Sequence, residues 1–206
     1  AHVRALLADG IVINNAATIT PRGGSAVTTL QHRVSIAERP AHVANRSEPG
    51  HWEADMMGFR DRRQNLLVAH ERTSRYTLIA KTPNRTAPVI LAKLKQWFSR
   101  LPPDLRRSLT QDNGPEFTRH HRLAAALGLK TYFCDPHSPW QKGSIENMNG
   151  RLRRTLPRKT DLDTIPHPAL AALARRHNET PRKCLGFRTP AEVFNELLQL
   201  SHFKCE

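Results

Sequence analysis

The chain of 206 residues carries 32 Lys and Arg against 18 Asp and Glu, a net charge of +14 with histidine neutral and a pI near 10.8, which points to a polyanionic partner. No apolar run approaches the roughly 18 residues that a membrane-spanning helix needs, and the first ten residues lack the uninterrupted apolar stretch of a secretory signal, so a soluble intracellular protein is expected. Three cysteines far apart (Cys134, Cys184 and Cys205) with no Cys-x-x-Cys pair argue against a disulfide framework or a zinc knuckle, and no repeating period suggests an array.

Residues 1–37 are rich in Ala, Thr and Gly, include Thr20-Pro-Arg-Gly-Gly-Ser25, and read as a poorly structured linker or remnant. Residues 38–50 read as a connector, 51–156 as the core domain and 157–206 as a helical carboxyl-terminal extension. The core holds most of the charge, an excess of ten basic over acidic side chains. At its start Trp52, Ala54 and Met56 alternate with Glu53, Asp55 and Met57, the period of a half-buried strand with Asp55 pointing away from Trp52. Leu66-Leu-Val-Ala-His70 and Tyr76-Thr-Leu-Ile-Ala80 follow as short apolar runs, completing an antiparallel meander.

Ile90, Leu94, Trp97 and Leu101 recur at helical spacing until Pro102-Pro103. Ser108-Leu-Thr-Gln111 reads as a strand, about Arg119 to Leu127 as a helix closed by Gly128, and Lys130-Thr-Tyr-Phe-Cys134 as another strand, an alternation that implies parallel pairing through right-handed crossovers. Ser138-Pro139-Trp140-Gln141 has the form of an N-cap, first-turn proline and capping-box glutamine, or else a loop that delays the helix to Ser144. Glu146 lies on a helix in either case. A helix from about Pro168 to His177 is followed by Thr189-Pro-Ala-Glu192, a capping box that opens a helix with Val193, Leu197 and Leu200 on one face. The expected fold class is α/β, a mixed five-stranded sheet (antiparallel meander, then parallel strands) flanked by helices.

Three carboxylates interrupt motif-like runs rather than pairing with Lys at helix spacing. Asp55 lies on the first strand, Asp112 ends the strand Leu-Thr-Gln within Gln111-Asp-Asn-Gly-Pro-Glu-Phe117, and Glu146 follows Pro136-His-Ser-Pro-Trp-Gln-Lys-Gly143. Each alone has a structural explanation: an exposed strand residue, an Asx turn, an exposed helix residue. If the first strand lies beside the one ending at Asp112, the aspartates become neighbours and a crossing helix delivers Glu146. Carboxylates so crowded repel one another unless a divalent cation sits among them, and oxygen-only ligands suit Mg²⁺ or Mn²⁺. Lys142, Arg151, Arg153 and Arg154 are candidate phosphate contacts, and Asn147 and Asn149 either contact nucleic acid or hold the helix. His137 is a further candidate for the site, and Asp135 and Glu116 are rival carboxylates, Asp135-Pro-His reading more simply as a turn. His120-His121 lacks a third ligand for zinc at the spacing such sites need. Trp52 and Trp97 are expected in the core, whereas Trp140 is a candidate contact to nucleic acid.

These runs resemble the DDE transposases with a ribonuclease-H-like (integrase) catalytic core, and among them the type named after insertion sequence thirty. The matching segments are Glu38-Arg-Pro40, Pro49-Gly-His-Trp-Glu-Ala-Asp55, Leu109-Thr-Gln-Asp-Asn-Gly114, Tyr132-Phe-Cys-Asp-Pro-His-Ser-Pro-Trp-Gln141, Glu146-Asn-Met-Asn-Gly150 and Thr189-Pro-Ala-Glu192. The resemblance implies a ribonuclease-H-like fold and a metal-dependent enzyme that nicks DNA at mobile-element ends and joins the freed 3′ ends to target DNA. It assigns Asp55, Asp112 and Glu146 as catalytic ligands of two Mg²⁺ or Mn²⁺ ions, and implies DNA as partner, a homodimer on DNA and a bacterial cytoplasm with association to the nucleoid. Ile145 stands where the family often has Asn, and Lys142 where Arg is common. No helix-turn-helix is legible before residue 38, so a truncated or rearranged copy is expected. An inactive DNA-binding remnant and a ribonuclease of the same fold are the alternatives.

Overall fold

Three apolar runs form the expected meander in the computed structural model, which describes residues 30, 32–61, 63–136 and 138–203. Strand β1 (His51–Gly58) pairs antiparallel with β2 (Asn65–Glu71), and β2 with β3 (Thr77–Thr82). β4 (Ser108–Gln111) and β5 (Lys130–Phe133) complete a sheet of order β3-β2-β1-β4-β5, with β1–β4 and β4–β5 parallel. The helices are α1 (Ala87–Phe98), α2 (His120–Leu127), α3 (Gly143–Thr155), α4 (His167–Asn178) and α5 (Pro190–Phe203).

Because β1 is the middle strand, both of its faces are covered, and the half-buried strand expected from the alternation is in fact buried along its first four residues. Trp52 and Ala54 face one core with Leu67, Leu94, Phe98, Leu109 and Phe133. Met57 faces a second core with Leu66, Val68, Ile79, Ile145 and Leu152. The buried polar residues of β1 are paired: His51 Nδ1 meets Ser108 Oγ at 2.7 Å, and Glu53 meets the Arg72 guanidinium at 3.5 Å. A polar residue is tolerated in a central strand only on such terms.

Helix α1 stops at Phe98, short of the expected Leu101, which is buried in the turn that follows. Gly128 closes α2 in the left-handed conformation, φ +67°. Ser138 makes no capping bond. Gln141, expected to return to it, instead accepts from the Asp135 amide at 2.7 Å and donates to the Asp135 carboxylate at 2.9 Å. A short 3-10 turn (Pro139–Lys142) therefore precedes α3, closer to the delayed start. The Thr189–Glu192 capping box forms in both directions. The buried face of α5 is Phe194, Leu198 and Ser201, one position on from the expected stripe, and Leu200 is exposed. Phe194 decides this register by stacking on Tyr76 at 4.5 Å and meeting Trp52 edge-on at 5.9 Å.

Gly50 fixes where the chain enters β1. Its φ is +89°, a Cβ there would lie 2.3 Å from the Asp104 carbonyl oxygen, and its own carbonyl accepts from the amides of Arg107 and Ser108. Residues 32–37, assigned by sequence to the linker, run beside β5: Ser35 bridges Phe133, and the Arg33 guanidinium donates to the Cys134 carbonyl and to Asn113 Oδ1. Residues 1–29 lie outside the described residues. Among the described residues, no helix is long and apolar enough to cross a membrane.

Candidate active site

The parallel register of β1 and β4 pairs His51 with Ser108, Trp52 with Leu109 and Glu53 with Thr110. Continued past the last pair, it brings Asp55 level with Asp112, on adjacent strands that run about 4.8 Å apart in any sheet. Glu53, Asp55 and Met57 share the face that α3 covers, since alternate residues point the same way. Helix α3 is seated on that face from its first turn, because the Ile145 amide, one of the donors that a helix start leaves unpaired, donates to Glu53 Oε2 at 2.8 Å.

One cation ties the aspartates together. Lys142 Nζ lies 3.2 Å from Asp55 Oδ1 and 3.3 Å from Asp112 Oδ2, with the lysine side chain only 6 % exposed. The remaining oxygens are held by neutral donors: Asn149 Nδ2 donates to Asp55 Oδ2 at 2.7 Å, and the Gly114 amide to Asp112 Oδ1 at 3.1 Å. Asp112 is thus an Asx-turn residue and a candidate site residue at once. Burial pushes the Asp55 carboxyl up from its usual range, against the opposing pull of Lys142. The Lys142 ammonium itself moves up, because the two aspartates outweigh its burial.

Glu146 lies on α3 one turn before Asn149, on the same helix face. Its carboxylate is exposed, and its pKa is raised by partial desolvation and by the nearby charges of Asp55 and Glu53, against the pull of Lys142. The three carboxylates do not close to within 4.8 Å of one another. Among the described residues the set that does so is His42, Glu48 and His51, at the amino-terminal start of β1.

The candidate DNA-binding residues divide in two. Lys142, Asn149 and Arg153 have their donors engaged inside the molecule: Arg153 donates to the Gly58 carbonyl at 2.7 Å and lies 4.7 Å over the Phe59 ring. Asn147 and Arg154 are exposed, Arg151 is half-buried, and Trp140 is 73 % exposed at the entry to α3. The rival carboxylates are occupied elsewhere, Glu116 buried against Arg85 and Asp135 held by Gln141. His120 is buried on Thr131 Oγ1, and His137 lies outside the described residues. Ile145, at a position where related chains were expected to carry Asn, is fully buried in the second core.

Sequence reasoning missed Glu53 and Arg72. Glu53 stands two residues before Asp55, hence on the same face, and that spacing was the available signal. Nothing in the sequence marked Arg72 as its partner across the β1–β2 pair. Cys134 is buried, which pushes its thiol up to about 11, so it is no thiolate nucleophile at neutral pH. Cys134 and Cys184 are both free thiols.

Residues 45–139 match the integrase core domain family. The transposase for insertion sequence element IS1086 of Cupriavidus metallidurans is 42% identical over 177 residues, 86% of this chain and 52% of that protein. Transposase InsI for insertion sequence element IS30A of Escherichia coli is 36% identical over 182 residues, 88% of this chain and 47% of that protein. The chain therefore spans about half the length of these relatives. The catalytic core domain of BIV integrase superposes with a TM-score of 0.55 at 23% sequence identity, covering 76% of this chain and 99% of that one, a likeness of fold.

Proposed function

We propose that the chain is a transposase of the insertion-sequence-thirty type, built on an integrase core, that cuts and joins DNA at mobile-element ends with the help of divalent metal ions. The observation that carries this reading is the pair Asp55 and Asp112 closing around one positive charge. Here the Lys142 ammonium stands in for a cation, and two carboxylate oxygens from separate strands turn toward it while their other oxygens are held by Asn149 and Gly114. Such a donor set is all oxygen and negatively charged, which fits Mg²⁺ or Mn²⁺.

Asp55, Asp112 and Glu146 would hold two ions. Bound there, the metal supplies activation of a water or 3′ hydroxyl and neutralises charge on the leaving oxygen. The chain's own residues do the positioning. The Asn149 amide fixes the rotamer of Asp55, the Asp112 turn fixes its carboxylate, and Glu53 seats the helix that carries Glu146. No side chain need act as nucleophile, since the attacking oxygen belongs to water or DNA. Arg151, Arg154 and Asn147 on the outer side of α3 are the phosphate contacts, with Lys142 joining them when it leaves the aspartates, and Trp140 offers a ring for a base to stack on. Two DNA ends call for two subunits, so a homodimer forms on DNA.

The test is a Mn²⁺-dependent nicking and strand-transfer assay on oligonucleotides carrying the element's ends. Asp55→Asn, Asp112→Asn and Glu146→Gln should each remove activity by at least about a hundredfold while DNA binding persists. Full activity in all three would refute the assignment. A non-catalytic DNA-binding remnant gains support from the separation of Glu146 from the other two carboxylates. It predicts no gain of thermal stability at millimolar Mn²⁺.

A further inference from the structure

At the amino-terminal end of β1, remote from Asp55, three donor atoms converge. His42 lies in the short helical turn Ala41–Val43, Glu48 in the bend before Gly50, and His51 is the first residue of β1. Glu48 Oε2 is 2.9 Å from the Nε2 atoms of both histidines, and the three ligand atoms all lie within 4.8 Å of one another.

Two of the three are braced from behind. His51 is buried, and its Nδ1 sits 2.7 Å from Ser108 Oγ on β4. The other oxygen of Glu48 faces the Arg107 guanidinium at 3.3 Å, and the Glu48 carbonyl accepts from Thr73 Oγ1 at 2.8 Å. Partners of this kind aim histidine and carboxylate ligands in metal sites. Ser108 adds a specific advantage: its hydroxyl can donate or accept. When each Nε2–H donates to Glu48, the Ser108 hydroxyl donates to His51 Nδ1. When Nε2 is a ligand, the proton sits on Nδ1 and Ser108 accepts it, so His51 changes tautomer without losing a bond.

We propose that His42, Glu48 and His51 form a zinc site, with a fourth position open to water, that staples the 38–50 connector to the starts of β1 and β4. Two imidazoles and one carboxylate are a zinc donor set and a poor one for Mg²⁺, so the site is chemically separate from the aspartate pair. The ion closes the short loop from residue 42 to residue 51 and fixes the approach to Gly50.

The experiment uses the whole chain stripped by a chelating resin and titrated with Zn²⁺ against a chromophoric chelator, with thermal unfolding in parallel. One equivalent should bind, and Tm should rise by about 5 °C or more at a hundredfold excess over Kd. His42→Gln and Glu48→Gln, both outside the core, should weaken binding by on the order of 100-fold while their metal-free Tm stays near that of the parent. Asp55→Asn should leave Zn²⁺ binding intact, which keeps this result independent of the transposase reading. X-ray absorption should show two imidazole nitrogens at about 2.0–2.1 Å. Absence of Zn²⁺ binding, or weak binding that both substitutions leave unchanged, overturns the proposal.

Discussion

Replacing Lys142 with Met should have opposite effects on the metal-free protein and on metal affinity. The ammonium lies 3.2 and 3.3 Å from two carboxylate oxygens, and at an effective dielectric of about 20 each contact carries about 5 kcal/mol of gross attraction. Most of that is cancelled by desolvating a side chain only 6 % exposed, and the attraction to Asp112, itself 44 % exposed, is further weakened by water. A net loss of about 2 kcal/mol is expected, about 4–8 °C in Tm for a chain of this size, measured by thermal unfolding in EDTA. A divalent ion entering the wild-type site must displace the same ammonium. K142M is spared that cost, and about 2 kcal/mol corresponds to about thirtyfold tighter Mn²⁺ binding. Electron paramagnetic resonance of free Mn²⁺ during titration reads this directly, with Asp55→Asn as the control that should lose the site. K142M binding Mn²⁺ no more tightly than wild type, or an unchanged Tm in EDTA, would refute the view of the lysine as a resident counter-ion.

Two further predictions concern the frame around the site. Glu53→Gln leaves the Arg72 guanidinium, 5 % exposed, without its carboxylate and removes the charge that seats Ile145, and should cost about 3 kcal/mol in chemical denaturation; a midpoint equal to wild type would show the pair to be unimportant. His70 is fully buried, and burial together with the charges of Arg75 and Arg182 pulls its pKa down to about 3. The folded state therefore binds this proton more weakly than the unfolded chain. The stability His70 contributes is complete above its unfolded value near 6.5 and is lost progressively as pH falls from there toward about 3, about 2 kcal/mol by pH 5. His70→Gln should flatten that part of the stability–pH profile, and an identical slope in the variant would exclude His70 as its source.

What the sequence made legible follows from how local each signal is. The strands β2, β3, β4 and β5 were found within a residue or two because their apolar runs and flanking turns are contiguous. The burial of β1 was not, because what permits His51 and Glu53 inside is Ser108 and Arg72, partners that only the sheet brings alongside. The face of α5 was misplaced for a similar reason: Val193-Leu197-Leu200 is the more apolar stripe in the sequence, yet the aromatic seat formed by Trp52 and Tyr76 selects Phe194-Leu198-Ser201.

The site shows the same division. Motif spacing singled out Asp55, Asp112 and Glu146, yet it cast Lys142 as a phosphate contact and left Asn149 between contacting nucleic acid and holding the helix, since a cation or amide inside a motif reads most simply as a phosphate contact. The fold turns both inward onto the carboxylates. A charge that neutralises two aspartates cannot at the same time neutralise a phosphate. On the proposed function, metal arriving at the aspartates would free the lysine for the DNA backbone, so metal and DNA should each strengthen the other's binding, as linkage through one shared side chain requires. A salt slope for DNA binding that steepens when Mn²⁺ is present in the wild type, but not in K142M, is the signature of that exchange.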